Sequence, residues 1–294
     1  MQKLRPTFFI IGAPKAGTTS LYSYLDEHPQ VLMSHLKEPN YFSYSELKNQ
    51  NLYYKDDSVG DEQSYLNLFT TEQPGFVKEV GEASVSYLFY PSTARHIHTF
   101  NQTAKIIVLL RNPFDRAWSH YLMDYKLNYV NDSFDDIVQK RVNGCRNTQH
   151  YQQYIELGLY YKQLKNYIDV FEKSQLFIGL YDDLKKDSQK FFNEVCDFLQ
   201  IDQVKLHGHK IFNGAEMPRN NFIRSIYASD PVRRGIKNLL GEGPSRKIKT
   251  YLFKKPELHP LPQTRALLHS LFTEDLKRTE EITGLNLKAW YETT

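Results

Sequence analysis

Apolar and polar positions along this chain follow two distinct patterns. Short continuous apolar runs are typical of buried strands, and apolar residues spaced three and four apart are typical of amphipathic helices. The short runs predict strands over residues 8–11, 31–33, 76–80, 105–110 and 176–180. The run at 105–110 is the most apolar and β-branched, which predicts a central strand of a covered sheet.

Helical spacing fills most of the segments between these runs. It predicts helices over residues 18–27, 92–100, 113–126, 133–141, 160–171, 188–199, 231–240 and 262–283. Residues 44–70 are polar, rich in Tyr and weakly periodic, which predicts a loop with a helix near 64–68. Alternating strands and helices predict an α/β fold with a central parallel sheet flanked by helices. Because no Ser/Gly-rich linker or internal repeat is visible, we expect a single domain over residues 1–294.

The first strand runs into a glycine-bounded turn that suits phosphate. The sequence from Gly12 to Leu21 is GAPKAGTTSL, and its second half opens a helix. Backbone N–H groups and a helix N-terminus in such a turn bind anions. The spacing from Gly12 to Gly17 is that of a P-loop, but Thr18 stands where a nucleoside triphosphatase has its Lys, and Lys15 lies inside the loop. The pattern therefore predicts a P-loop-like phosphate site that is not built for a magnesium-bound triphosphate.

A second strand-to-helix junction, together with the first, resembles the signature of a known enzyme family. The stretch PKAGTTSL from Pro14 resembles the 5′-phosphosulfate-binding loop of sulfotransferases, which use 3′-phosphoadenosine 5′-phosphosulfate (PAPS). Residues 104–121, AKIIVLLRNPFDRAWSHY, resemble the second half of the family signature. In that family the Arg ending the strand and the Ser eight residues on bind the 3′-phosphate, which points to Arg111 and Ser119. A guanidinium can donate two parallel hydrogen bonds to a phosphate, and the dipole at the helix N-terminus also favours negative charge.

Further matches extend the resemblance across nearly the whole chain. KEPNYF at 37–42 resembles an element of the heparan-sulfate-type branch and its bacterial relatives. Four other segments are typical of the bacterial members: residues 81–84, 158–164, 180–184 and 287–290. The resemblance implies a P-loop-like nucleotide-binding core, PAPS as co-substrate and no metal.

The chemistry of sulfo transfer assigns roles to several of these residues. Lys15 is the candidate for stabilising the departing 5′-phosphate. The remaining donor-binding candidates in the loop are Ala16, Gly17, Thr18, Thr19 and Ser20.

A carboxylate is the expected general base. In heparan-sulfate-type relatives the Glu of the matching element is taken as the base, which implies Glu38, and a nearby dianionic donor would raise its pKa. Glu82 is the second candidate base, with a structural carboxylate as its alternative, and a His base also stays open. Ala83 stands where glycan sulfotransferases have a Lys, which weakens the case for a heparan-like acceptor.

Other candidates lie farther along the chain. Lys210 and Arg219 flank a segment that fits the place where family members fold a loop over the nucleotide; the alternative is a basic surface loop. Tyr181 matches a position near the adenine in relatives, with a core Tyr as the alternative. Hypothetical acceptor contacts are Tyr41, Phe42 and Tyr87, with ordinary core packing as the favoured alternative.

Composition restricts the partners. A formal net charge of +3 gives little support to a nucleic-acid binder. Two cysteines form no disulfide framework and indicate a reducing compartment. No apolar run reaches transmembrane length, and no His/Cys/Asp spacing resembles a zinc site. We therefore expect a cytoplasmic, microbial protein with no nucleic-acid partner and no membrane span.

The leading hypothesis is a PAPS-dependent sulfotransferase that acts in line on a hydroxyl of a small molecule, lipid or glycan, with an amine acceptor as a variant. A P-loop-type metabolite kinase is the alternative from another enzyme class. A non-catalytic nucleotide-binding module is the third hypothesis. The sequence identifies neither the acceptor nor the oligomeric state.

Overall fold

The computed structural model describes residues 2–54, 57–142, 144–206, 217–229, 253–254 and 259–292. The chain folds into two compact units. The first comprises Met1–Asn112, Leu159–Phe212 and Phe272–Thr294, and the second comprises Pro113–Gly158 and Asn213–Leu271. The expectation of one domain over residues 1–294 stays a prediction.

Strands of the first unit form its central sheet. The strands within the described residues are β1 (Gln2–Lys3), β2 (Phe8–Gly12), β3 (Val31–Met33), β4 (Thr70–Thr71), β5 (Glu79–Ala83), β6 (Lys105–Leu110), β7 (Leu176–Leu180), β8 (Met217–Pro218) and β9 (Phe253–Lys254). Five of them form a parallel sheet in the order β3-β5-β2-β6-β7. This order confirms the predicted α/β fold with a central parallel sheet flanked by helices.

Helices connect these strands and make up most of the described part of the second unit. In the described ranges they are α1 (Thr18–Asp26), α2 (Tyr44–Gln50), α3 (Glu62–Leu66), α4 (Thr93–Phe100), α5 (Pro113–Lys126), α6 (Phe134–Val138), α7 (Cys145–Tyr154), α8 (Tyr160–Ile168), α9 (Tyr181–Lys186), α10 (Ser188–Leu199), α11 (Asn221–Ala228), α12 (Pro262–Thr283) and α13 (Lys288–Tyr291). Within the second unit, the buried Arg224 of α11 donates hydrogen bonds to the carbonyls of Tyr125 and Val130, both at 2.6 Å. This side chain fastens α11 to the end of α5.

The middle strand sets the position of the functional loops. Every residue of β2 is buried, as expected for a parallel strand covered on both faces. The chain leaves β2 towards β3 on one side of the sheet and leaves β6 towards β7 on the other. Adjacent parallel strands whose connections diverge leave a crevice at their carboxyl ends, where open α/β sheets bind ligands. The loops after β2 and β6 therefore flank this crevice, and the place where the two connections diverge is called here the switch point of the sheet.

Several element boundaries differ from the sequence predictions. The strand predicted over residues 76–80 lies instead at Glu79–Ala83, because Pro74–Phe76 forms a 3₁₀ turn. The predicted loop at 44–70 contains α2, which buries no side chain and so has no apolar stripe to reveal it. The helix predicted near 64–68 is α3, the one predicted over 133–141 ends at Val138, and the one predicted over 231–240 lies outside the described residues.

Gly81 in β5 is required by the Phe8 ring, which lies beside it in the sheet register. A Cβ at Gly81 would lie 2.1 Å from Phe8 Cζ, so Gly81→Ala should lower the free energy of unfolding by about 1–3 kcal/mol through overpacking. Urea unfolding measures this loss. Phe8→Leu in the same chain should recover part of it.

Gly75→Ala is the matched control for this substitution, because no described atom lies within 4 Å of the added Cβ. Its stability should stay within about 0.5 kcal/mol of wild type. Equal stability of Gly81→Ala and Gly75→Ala would contradict the close packing of Phe8 on β5.

Candidate active site

The turn after β2, residues 13–17, is called here the phosphate loop. Its first N–H, that of Ala13, donates to the Leu109 carbonyl of β6 at 2.7 Å. Lys15 and Gly17 have positive φ angles of 69° and 91°, and Gly17 is the N-cap of α1. Among the described residues, no backbone carbonyl accepts from the N–H groups of Thr18 and Thr19. These two donors and the α1 dipole are therefore available to an anion.

Gly17 also allows α9 to pack directly on the phosphate loop. A Cβ at Gly17 would lie 2.8 Å from Leu184 Cδ2 and 3.0 Å from Tyr181 Cδ2. Any side chain here would both strain the backbone at φ 91° and displace α9.

Arg111, directly after β6, contacts the same loop. Its Nη1 donates to the Lys15 carbonyl at 3.0 Å, and its guanidinium carbon lies 4.7 Å from the centre of the Tyr181 ring. Its own carbonyl accepts a hydrogen bond from the Tyr160 hydroxyl at 2.7 Å. A half-buried guanidinium is thus fixed beside the phosphate loop, where it can bind a second phosphate.

The structure brings Lys15, Gly17 and Arg111 of the two motifs together and places Tyr181 against them. Tyr181 packs between Gly17 and Arg111, and its contact with an adenine stays a prediction. Side chains of the other loop candidates are mostly buried and shape the loop rather than face solvent: Ala16, Thr18 and Ser20. Thr19 is half-buried.

The remaining donor-binding candidates lie elsewhere in the chain. Ser119 is half-buried in α5 of the second unit, and its role at the 3′-phosphate stays a prediction. Arg219 is exposed directly after β8 in the second unit. Lys210 lies outside the described residues.

Glu38 is fixed at the carboxyl edge of the sheet. Its N–H donates to the Ala83 carbonyl at the end of β5 at 2.9 Å, and Ala83 lies opposite Ile10 of β2. The Glu38 side chain is 39% exposed, and its Oε1 lies 2.5 Å from Lys37 Nζ. An accessible carboxylate held by a cation at this edge suits a general base.

Glu82, the second candidate base, is fully buried. Oε1 accepts hydrogen bonds from the Tyr65 and Tyr87 hydroxyls at 2.6 and 2.8 Å, and Oε2 accepts from Ser84 Oγ at 2.7 Å. Burial raises the pKa of Glu82 to about 7 against the opposing effect of these three donors, and the nearby charge of Glu38 adds to the rise. Its burial argues against direct contact with an acceptor, so Glu38 is the better candidate base.

Two of the three hypothetical acceptor contacts lie in the core, which is the alternative that the sequence favours for them. Tyr87 is fully buried and donates to Glu82, and Phe42 is 6% exposed against Phe9 and Tyr65. Tyr41 is half-buried and stacks on Tyr65 with ring centres 4.4 Å apart.

Sequence reasoning also missed the hydroxyls around Glu82. Tyr65 lies in α3, inside a segment with weak periodicity. Ser84 belongs to a recognised motif that assigns it no partner. No local signal in the sequence links either residue to Glu82.

Two of the described histidines, His35 and His120, lie within hydrogen-bond distance of backbone carbonyls. Buried His120 has Nδ1 3.1 Å from the Gln153 carbonyl, and His35 Nε2 is 3.2 Å from the Thr70 carbonyl. In the described part of the chain, no cluster of three or more His, Cys, Asp or Glu side chains could hold a metal ion. None of the described helices combines the length and apolarity needed to cross a membrane.

Comparison with known proteins identifies the family. A family model described as "Sulfotransferase domain" matches residues 5–220. Carbohydrate sulfotransferase 15 of Mus musculus is 29% identical over 248 residues, covering 67% of this chain and 44% of that protein. Bifunctional heparan sulfate N-deacetylase/N-sulfotransferase 1 of Caenorhabditis briggsae is 24% identical over 220 residues, covering 72% and 24%. This chain thus spans less than half the length of these curated relatives.

A solved structure supports the same relationship over the whole chain. The sulfotransferase from Alicyclobacillus acidocaldarius superposes with a TM-score of 0.72 at 29% identity, covering 98% of this chain and 99% of that one.

The buried carboxyl of Glu82 should impose a pH dependence on stability. Because its pKa is raised from 4.5 to about 7, the folded chain holds a proton between those pH values that the unfolded chain has released. Its contribution to the free energy of unfolding is therefore fully present below pH 4.5 and falls as the pH rises to 7, by up to about 3 kcal/mol. In Glu82→Gln, which cannot ionise, urea unfolding at a series of pH values should show a shallower fall. Parallel pH profiles for the two proteins would contradict the raised pKa.

Proposed function

Because this chain belongs to the sulfotransferase domain family, we propose that it transfers the sulfo group of PAPS to a hydroxyl of a glycan-type acceptor. The observation that carries the proposal is the contact of two motif loops at the switch point of the sheet. There the Arg111 guanidinium donates to the Lys15 carbonyl, so a cationic side chain after β6 meets the phosphate loop after β2. The names of the relatives support the glycan class.

The residues at this point suit a donor with two separate phosphate groups. The N–H groups of Thr18 and Thr19 and the Lys15 ammonium would bind the 5′-phosphosulfate, with Arg111 at the 3′-phosphate; the role of Ser119 there stays a prediction from the family motif. The guanidinium of Arg111 is held by Lys15 and Tyr181 before any donor arrives, so little side-chain entropy is lost on binding. Thr18 in place of the P-loop Lys disfavours a magnesium-bound triphosphate.

The reaction follows from this arrangement. The acceptor oxygen attacks sulfur in line, a new S–O bond forms, and the S–O bond to the 5′-phosphate breaks. Glu38 takes the hydroxyl proton, and the ion pair with Lys37 orients the Glu38 carboxylate. Lys15 stabilises the charge that develops on the departing 3′-phosphoadenosine 5′-phosphate. With this charge on lysine, we expect turnover without added metal.

Ala83 and Cys196 bear on the acceptor and on the compartment. Ala83 ends β5 where a Lys is typical of glycan sulfotransferases, so we expect an acceptor that differs from heparan sulfate. An amine acceptor would use the same base. The free, buried thiol of Cys196 suits a reducing compartment, and a cytoplasmic location stays a prediction.

Donor binding is testable by calorimetric titration. Wild type should bind 3′-phosphoadenosine 5′-phosphate (PAP) and should not bind ATP with magnesium. Lys15→Ala and Arg111→Ala should each weaken PAP binding about 10- to 100-fold, because each removes a charge-assisted hydrogen bond. Lys165→Ala, which removes a surface lysine of α8 paired with the C-cap residue Asp169, is the control and should bind as wild type. Magnesium–ATP binding without PAP binding would replace the proposal with the kinase hypothesis.

The base is testable by steady-state kinetics. Glu38→Gln should lower kcat by about 10²–10⁴-fold, because the amide cannot accept the acceptor proton, while PAP affinity stays unchanged. Glu62→Gln, an exposed Glu in the first turn of α3, is the matched control. Undiminished kcat in Glu38→Gln would exclude Glu38 as the base.

A further inference from the structure

The segment that carries Glu38, residues 37–42, is called here the Glu38 loop. Two of its non-glycine residues, Glu38 and Asn40, have positive φ angles of 62° and 52°. Such backbone conformations are sparsely populated for L-residues and persist only where surrounding contacts enforce them. The position of the candidate base therefore depends on what fastens this loop.

Three backbone N–H groups of the loop donate to one short stretch of chain that begins at the last residue of β5. The Glu38 N–H donates to the Ala83 carbonyl at 2.9 Å. The Asn40 N–H donates to Ser84 Oγ at 3.1 Å, and the Phe42 N–H donates to the Tyr87 hydroxyl at 3.3 Å. Alternate residues of the loop are thus bound in succession, and two of the three acceptors are hydroxyl oxygens.

The buried carboxylate of Glu82 determines how these two hydroxyls point. Ser84 donates its single hydroxyl hydrogen to Glu82 Oε2 at 2.7 Å, and Tyr87 donates its hydrogen to Oε1 at 2.8 Å. A hydroxyl whose hydrogen is engaged in this way presents only lone pairs to its other neighbours. The Asn40 and Phe42 N–H groups therefore meet acceptors.

We propose that Glu82 is a positioning residue for sulfo transfer: through the oriented hydroxyls of Ser84 and Tyr87 it holds the Glu38 loop, and with it the base, at the carboxyl edge of the sheet. This proposal rests on the proposed function, because Glu38 needs a fixed position only if it removes a proton from an acceptor. It also assigns a role to Glu82, whose carboxylate is fully buried and therefore cannot contact an acceptor as a base.

The hydroxyls of Ser84 and Tyr87 hold the Glu38 loop, whereas Leu109 and Arg111 contact the phosphate loop, so the two loops can be tested by two kinetic quantities. Loss of an oriented hydroxyl should displace the base and lower kcat while leaving PAP affinity unchanged. A general structural role would lower both. A small displacement of a reacting group can cost up to about 100-fold in rate, so we expect a 10- to 100-fold loss of kcat in Ser84→Ala and Tyr87→Phe.

A double substitution shows whether the effect passes through Glu38. Ser84→Ala should lower kcat 10- to 100-fold in wild type but by less than about twofold in the Glu38→Gln background, because the base is already absent there. Ser84→Thr, which keeps the hydroxyl, should restore kcat. Equal losses in both backgrounds would overturn the proposal.

The matched control is Tyr154→Phe. Tyr154 is also a fully buried tyrosine that donates to a buried carboxylate, Asp124, at 2.8 Å, but it lies in the second unit. It should keep the wild-type kcat even if its stability falls as much as that of Tyr87→Phe. A loss of kcat equal to that of Tyr87→Phe would overturn the proposal.

Amide hydrogen exchange tests the anchoring without any turnover. In Glu82→Gln, the Asn40 and Phe42 N–H groups should exchange at least tenfold faster than in wild type while the N–H groups of β6 keep their protection; unchanged exchange would overturn the proposal. If wild type binds PAP but transfers no sulfo group, the proposed function is wrong and this proposal fails with it. If wild type is active and Ser84→Ala keeps its kcat, only the positioning role is wrong.

Discussion

The hydrogen bond from Arg111 to the Lys15 carbonyl is the contact on which the rest of the site depends. It joins the ends of β2 and β6, the two adjacent strands whose connections diverge across the sheet. Divergence leaves the crevice, and this bond holds the Arg111 guanidinium against the phosphate loop. The Gly17 backbone and the Tyr181 ring complete the arrangement, because α9 can approach the phosphate loop only where no Cβ intervenes.

A second constraint acts at the neighbouring strand. Glu82 is an ionisable group in a fully buried position, where desolvation disfavours its charge. Three hydroxyl donors compensate for part of that cost, and two of them in turn anchor the Glu38 loop. In the proposed mechanism, donor binding and base positioning therefore depend on different strands of one sheet, so we expect that each can be altered without the other.

The sequence predicted the parts of this account that depend on local patterns. Residues 105–110 formed a strand with the predicted bounds, and the motif loops placed Lys15 and Arg111 beside each other. The contact between Tyr65 and Glu82 joins residues 17 positions apart through α3, whose segment has no clear apolar period. The direction of a hydroxyl hydrogen depends on all its neighbours at once, so no local pattern encodes it.

The most direct test of the central claim compares two nucleotides that differ only in the 3′-phosphate. Calorimetric titration of PAP and adenosine 5′-phosphate into wild type should show a preference for PAP of about 10- to 100-fold. Arg111→Ala should lose that preference, and Lys15→Ala should keep it while binding both nucleotides more weakly. An undiminished preference in Arg111→Ala would contradict the assignment of the two phosphates to the two loops.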